Sequence, residues 1–202
     1  MSAIRILSTA ERVKMAPWLV ENNLTAKLRW PYLYRGDAAE TERIIRGYLA
    51  HRGCVVAMAF DGDRPIAAEM SNWRGVVPLP ITDDLTRFLA RAGTTLARTW
   101  WANWLIVEPE ARGQDIGRRL IAASEAAIRA LGGDVWLFDV LDRPPGHPAA
   151  PLDWRPESQY FGHVGFVPAP LPPTPSEWVD IEPAGMPATR KFYRTYWRDL
   201  RV

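Results

Sequence analysis

Val107-Glu-Pro-Glu-Ala-Arg-Gly-Gln-Asp-Ile-Gly-Arg-Arg-Leu120 is the stretch on which the reading of this chain turns. The run leading into it, Trp100–Val107, is aromatic and apolar with almost no charge, the pattern of a buried strand. Pro109 ends that strand. Gly113 and Gly117 flank the opening of a helix, whose apolar positions continue through Leu120, Ile121, Ala127, Ile128 and Leu131. A strand that passes through a glycine-bearing turn into a helix leaves backbone N–H groups pointing outward. Those donors, with the positive end of the helix dipole, make an anion site. Arg112, Arg118 and Arg119 add positive charge beside it.

Working outward, the 202 residues suit one α/β domain, 1–202, with a core of its own. Hydrophobic content of 48% and charged content of 24% place the chain among ordinary soluble globular proteins. A net charge of +2 is too small to argue for nucleic acid or a membrane surface as partner. The single cysteine, Cys54, excludes an internal disulfide and a Cys-based zinc site and suits a reducing compartment. No apolar run approaches the ~20 residues of a membrane span, and the N-terminal Met-Ser-Ala-Ile-Arg-Ile-Leu lacks a signal-peptide layout. The expectation is a cytoplasmic protein. No pair of histidines has metal-ligand spacing, so no metal is expected.

Ala3–Leu7 reads as a first strand. Ser8-x-x-Glu11 is a capping-box pattern for a helix to about Val20, bent at Pro17. Asn22–Gly36 is aromatic and irregular, and Asp37-x-x-Glu40 opens a second helix that Gly53 stops. Strands follow at Cys54–Phe60 and Pro65–Trp73 around the turn Asp61-Gly62. A segment over about 74–99 holds a short helix at Leu85–Ala92. After Trp100–Val107 and the helix Gln114–Leu131 come a strand Asp134–Leu141 and a proline-rich loop Arg143–Trp154. A short helix Glu157–Val164, a strand opening at Gly165–Val167, an extended run Leu171–Pro175 and a last strand Thr189–Trp197 complete the order.

Val107, Pro109, Arg112, Gly113, Gln114, Ile116 and Gly117, followed by the apolar helix, resemble the acyl-CoA signature of the GNAT acyltransferases. The order of elements also resembles that α/β fold, a mixed β-sheet that splays apart beside the signature strand and is flanked by helices. The resemblance covers most of the chain; in it, 74–99 is a helical insertion. It implies that acetyl-CoA or another acyl-CoA binds as co-substrate through Ile106, Val107, Arg112, Gly113, Gln114, Ile116, Gly117 and Arg118. Backbone N–H groups near Ile106 and Val107 would polarise the thioester. One departure is Asp115, where the family usually has a second glycine; a carboxylate there would either sit close to a bound diphosphate or turn away and cap its own helix.

Leu137–Leu141 and Ser158–Phe166, with Gly165-Phe166, resemble a second family motif. There a tyrosine four residues before the glycine serves as general acid for the leaving thiolate. Here that position is Phe161, which has no proton to give. Tyr160 is the remaining phenol for the role, but it lies about 100° round a helix. The offset predicts that Tyr160 packs and that Phe161 lies beside the cofactor.

Transfer of an acyl group from a thioester to an amine needs a deprotonated amine, a polarised carbonyl and a stabilised thiolate. Glu69, within the otherwise apolar Ile66–Met70, is the leading candidate base, since burial raises carboxylate basicity. Glu108, at the end of the signature strand, is the second. The resemblance implies that the acceptor pocket draws on Trp30, Tyr32, Tyr34 and Trp73, with Trp154 and Trp178 further on. These rings suit an amine with an apolar or aromatic part, held in part by cation–π contact. Three functions follow: an N-acyltransferase acting on a small amine; a GNAT-like module that binds acyl-CoA without transferring it; and an acetyltransferase of protein N-termini or lysines. A homodimer is one possible assembly.

Overall fold

The computed structural model describes residues 2–77, 79–143, 146–181 and 189–202. Part of the loop expected over Arg143–Trp154, residues 144 and 145, lies outside them, as does residue 78 of the 74–99 segment. In chain order the elements are β1 (Ala3–Ile6), α1 (Thr9–Lys27), α2 (Ala38–Ala50), β2 (Val55–Asp61), β3 (Arg64–Trp73), α3 (Asp83–Arg91), β4 (Thr99–Val107), α4 (Ile116–Ala130), β5 (Val135–Asp142), α5 (Glu157–His163), β6 (Val167–Pro168), β7 (Thr174–Trp178) and β8 (Thr189–Asp199). Short 3-10 turns follow β3 and precede and follow β4.

The strands form one sheet in the order β1-β2-β3-β4-β5-β8-β6, with β7 also on β8. Every pairing is antiparallel except β4–β5. β2 is buried on both faces, which is why it reads as an unbroken apolar run rather than an alternating one. One face packs Val56, Met58, Phe60, Ala68 and Met70 against Ala16 and Leu19 of α1 and Ile45 and Leu49 of α2. The other face packs Ala57, Ala59 and Ala67 against Ile116 and Leu120 of α4. α3 covers Trp101, Val135 and Leu137 with Leu85, Phe88 and Leu89.

The helix starts follow the sequence signals. Ser8 and Glu11 complete a reciprocal capping box on α1, Asp37 accepts from the Glu40 N–H at 2.7 Å, and Thr82 caps α3. α1 nevertheless runs to Lys27, well past the expected end near Val20. Its buried positions Arg12, Ala16, Leu19 and Asn23 keep helical spacing through Pro17, and the Asn22 side-chain Nδ2 donates to the Trp18 carbonyl at 2.9 Å. Tertiary packing of that stripe outweighs the proline and the polar, aromatic composition that follows it. β7 was expected only as an extended run. Pro175 is tolerated there because β7 is an edge strand, and it reaches Trp178 by pairing with β8.

The site is set by where β4 and β5 part. They pair from Thr99↔Val135 to Ala102↔Phe138 and no further, although β4 continues to Val107 and β5 to Asp142. The Phe138 ring stacks on Phe161 of α5 at 3.9 Å between centroids, at the point where pairing ends.

Candidate active site

Beyond Ala102, β4 keeps its antiparallel partner β3. The Glu108 N–H donates to the Ile66 carbonyl at 3.0 Å. By strand alternation, the backbone groups of Leu105 and Val107 therefore face away from β3, into the gap towards β5. β4 then leads through a 3-10 turn (Pro109–Ala111) into two left-handed residues, Gly113 (φ 74°) and Asp115 (φ 59°), before α4 begins at Ile116. The N–H groups of Gly113, Gln114 and Asp115 reach no backbone carbonyl among the described residues. Those of the first turn of α4 have none by helix geometry. Gly113, Asp115 and the first turn of α4 border a groove of about 550 Å³, walled also by Leu105, Val107 and Tyr160. The arrangement offers open donors suited to an anion, running onto an open strand edge.

Asp115 keeps the backbone turn that a glycine would make, since Asp is among the few residues that tolerate the left-handed region. Its carboxylate does not take the capping alternative, since it makes no cap hydrogen bond to α4. It pairs with Arg118 at 2.5 Å, and that hydrogen bond holds its carboxyl below the usual range. Arg118 is thus half-neutralised on the groove wall. Asp115→Gly should free it and tighten acetyl-CoA binding about two- to tenfold. Calorimetric titration checks this; weaker binding would mean that the carboxylate orders the turn instead.

Tyr160 and Phe161 exchange the places expected of them. Phe161 is 4% exposed and packs in the core against Phe138 and Phe166. Tyr160 lines the groove, its hydroxyl so close to Gly117 that a Cβ there would collide with it. Burial pushes its phenol up to about 12, so it stays protonated through the neutral range. The helical offset of about 100° was right, but the family position is the one that faces inward.

On the opposite side of the β4 end lies a larger cleft of about 780 Å³, which shares Val107 and Arg112 with the groove. One wall is a helical stripe of α1 that includes Trp18, Glu21, Asn22 and Thr25, continued by Trp30 and Tyr32. The other holds Ile106, Glu108 and Glu157. Glu108 pairs with Arg64 at 2.7 Å. Glu157 Oε2 is enclosed and has no hydrogen-bond partner among the described residues. Burial pushes the Glu157 carboxyl up to about 7.

Glu69 is not in this cleft. It is 1% exposed beneath α4, where Ser71 donates to it at 2.5 Å and Ser124 also donates. Residue 69 pairs with Leu105 on the α4 face of the sheet, so the strand that brings it near β4 also turns it away from the acceptor side. Burial pushes its carboxyl up to about 8, against the lowering effect of the two serines. Between the unfolded value of 4.5 and about 8 the folded chain keeps a proton that the unfolded chain releases. Stability is therefore full below the lower value and falls as pH rises towards the upper one. Glu69→Gln should remove that decline. Its melting temperature should gain about 5 °C or more on wild type between about pH 5 and pH 8. Parallel melting curves of the two proteins across this range would contradict the assignment.

Of the other expected cofactor residues, Val107, Arg112, Gly113, Ile116, Gly117 and Arg118 line the groove, though Ile116 is 1% exposed with its side chain in the core. Gln114 turns back to the Glu110 carbonyl at 3.2 Å, and Ile106 lines the cleft instead. Trp30 and Tyr32 line the cleft. Tyr34 packs edge-on to Trp178, and Trp73 stacks on His51 at the far end of β3, paired with Trp100. Trp73 was misjudged because its neighbour Asn72 pairs at the start of β4, whereas the cleft is at its end. Glu157 was missed: an acidic residue in the first turn of a helix has an ordinary structural explanation. Among the described residues no group of three or more His, Cys, Asp and Glu side chains is set to hold a metal ion, and no helix is long and apolar enough to cross a membrane.

An open mixed sheet parting at its central parallel pair, with a strand–turn–helix cradle at the gap, is the GNAT fold, and solved structures agree. A GNAT-family protein from Desulfovibrio desulfuricans superposes with a TM-score of 0.56 at 15% identity over 99% of both chains. An aminoglycoside 6′-N-acetyltransferase from Enterococcus faecium gives 0.56 at 15% identity over 98% of this chain and 97% of its own. An acetyltransferase-like protein from Salmonella typhimurium, solved with acetyl-CoA, gives 0.60 at 12% identity over 99% and 94%. No protein-family model and no curated protein matches the sequence.

Proposed function

We propose that this protein is an acetyl-CoA-dependent N-acetyltransferase acting on a small amine. The observation that carries it is the meeting of two cavities at Val107. On one side is an anion cradle continuous with an open strand edge; on the other is a cleft with an unpartnered buried carboxylate. The related folds solved with acetyl-CoA or coenzyme A support the choice of co-substrate. The aminoglycoside 6′-N-acetyltransferase from Enterococcus faecium among the similar folds supports an amine as acceptor.

In this scheme Arg112 and the N–H groups of Gly113–Arg118 hold the diphosphate. The N–H groups of Leu105 and Val107 pair with the pantetheine arm and polarise the thioester carbonyl. Glu157 accepts a proton from the amine, whose nitrogen attacks the carbonyl carbon as the carbon–sulfur bond breaks. Tyr160 gives its proton to the departing thiolate and is recharged from solvent. Asp115 and Phe161, the two departures from the family motifs, are compatible with transfer in this scheme: Asp115 keeps the left-handed turn and Tyr160 lines the groove.

Two measurements test the scheme. Acetyl-CoA should protect the amides of Gly113–Arg118, Leu105 and Val107 from hydrogen exchange; protection elsewhere only would refute the cradle. Tyr160→Phe should lower amine-dependent thiol release about ten- to a hundredfold, with acetyl-CoA affinity nearly unchanged. A variant as fast as wild type would take the acid role from Tyr160.

A further inference from the structure

We propose that the acceptor carries an oxygen function beside its reacting amine, and that the Trp30 indole N–H recognises it. This recognition rests on acetyl transfer taking place in the same cleft. Two polar atoms belonging to residues of the cleft wall are enclosed and lack any protein partner among the described residues: Glu157 Oε2 and Trp30 Nε1. One is an acceptor and the other can only donate. A buried group left unpaired is costly, so both call for a partner that the protein does not supply.

Among the described residues Trp30 is the one tryptophan whose indole N–H is both enclosed and without a protein acceptor. The indole N–H groups of Trp73, Trp100, Trp136 and Trp178 all donate to protein oxygens, at 3.0, 2.9, 2.9 and 2.9 Å. Trp178 does so to the carbonyl of Tyr32, two residues from Trp30 on the same loop. Nor can the Trp30 ring swing freely to find a partner. The Arg143 guanidinium lies 4.9 Å from its centroid, the His147 ring 4.8 Å and the Trp154 ring 5.3 Å. Arg143 is itself buried and held by Asp180 at 2.7 Å, which Lys191 also contacts at 3.2 Å. A buried ion cluster therefore fixes the ring beside the cleft.

A ligand that satisfies both atoms offers an amine to Glu157 and a hydroxyl, carbonyl or carboxylate oxygen to Trp30. Amino alcohols and amino acids have both groups; a plain alkylamine leaves the indole N–H unpaired. Sites built to bond a substrate oxygen discriminate against the analogue that lacks it.

The test uses phenethylamine, phenylethanolamine and phenylalanine, which share one frame and differ in the added oxygen. Wild type should use at least one oxygenated amine about three- to tenfold better in kcat/KM than phenethylamine. A preference for phenylethanolamine assigns a hydroxyl, and one for phenylalanine a carboxylate. In Trp30→Phe that ratio should fall to about one, with melting and acetyl-CoA affinity checked to show that the variant is folded. Because the wild-type ratios stand alone, a misfolded variant does not remove the test. Equal use of all three amines overturns the inference and leaves acetyl transfer standing. If none is acetylated, calorimetry with coenzyme A present decides. Tighter binding of an oxygenated amine, lost in Trp30→Phe, keeps the recognition while acetyl transfer fails; equal binding overturns both.

Discussion

Glu157→Gln should lower kcat/KM for the amine by about 10²–10⁴ and leave acetyl-CoA affinity within about twofold. The size of the effect is that of removing a general base: Glu157 lines the cleft, and no described residue engages its Oε2 by a hydrogen bond. The pH profile gives an independent check. A base works only when deprotonated, and burial has pushed this carboxyl up to about 7. The wild-type rate should therefore rise with pH through about 7 and level off above it. In Glu157→Gln that limb should disappear. Full activity with an unchanged profile would move the base elsewhere; Glu108 is the next carboxylate on the cleft, though Arg64 already engages it.

Gly117→Glu should weaken acetyl-CoA binding by about a hundredfold or more. A Cβ at this position runs into the Tyr160 hydroxyl and comes within 3.6 Å of Leu105, so the longer side chain must enter the groove. Its carboxylate would then sit where the helix dipole and open N–H groups favour an anion, in competition with the diphosphate. The fold should survive, because Gly117 has an ordinary helical φ in the first turn of α4. Unchanged affinity in a folded variant, measured by calorimetry, would remove the diphosphate from this turn.

What the sequence made legible was the part governed by local rules. The apolar run ending at Pro109, the glycines at 113 and 117 and the stripe through Leu120 and Ile128 place β4, the cradle and α4, because strand burial and helix amphipathicity leave a periodic trace. The length of α1 was hidden because its last two turns are held by contacts with the rest of the protein. The face of Glu69 was hidden for a different reason. The run Ile66–Met70 is buried on both faces and so carries no alternation to say which side is which. Tyr160 and Phe161 differ only in rotation about a short helix, and a core position for Phe161 is visible only once Phe138 and Phe166 are seen around it. Glu157 and Trp30 stand out through what they lack, a partner, and no sequence pattern records that.

Free thiol released from acetyl-CoA, followed with a panel of small amines, tests the central claim most directly. The wild-type protein should release thiol only when an amine is present, at a rate that saturates with amine. Release should be strongly reduced in Glu157→Gln and lost in Gly117→Glu at acetyl-CoA concentrations that saturate wild type. Tight acetyl-CoA binding by wild type, with no amine-dependent thiol from any member of the panel, would contradict acetyl transfer and leave a protein that only binds the cofactor.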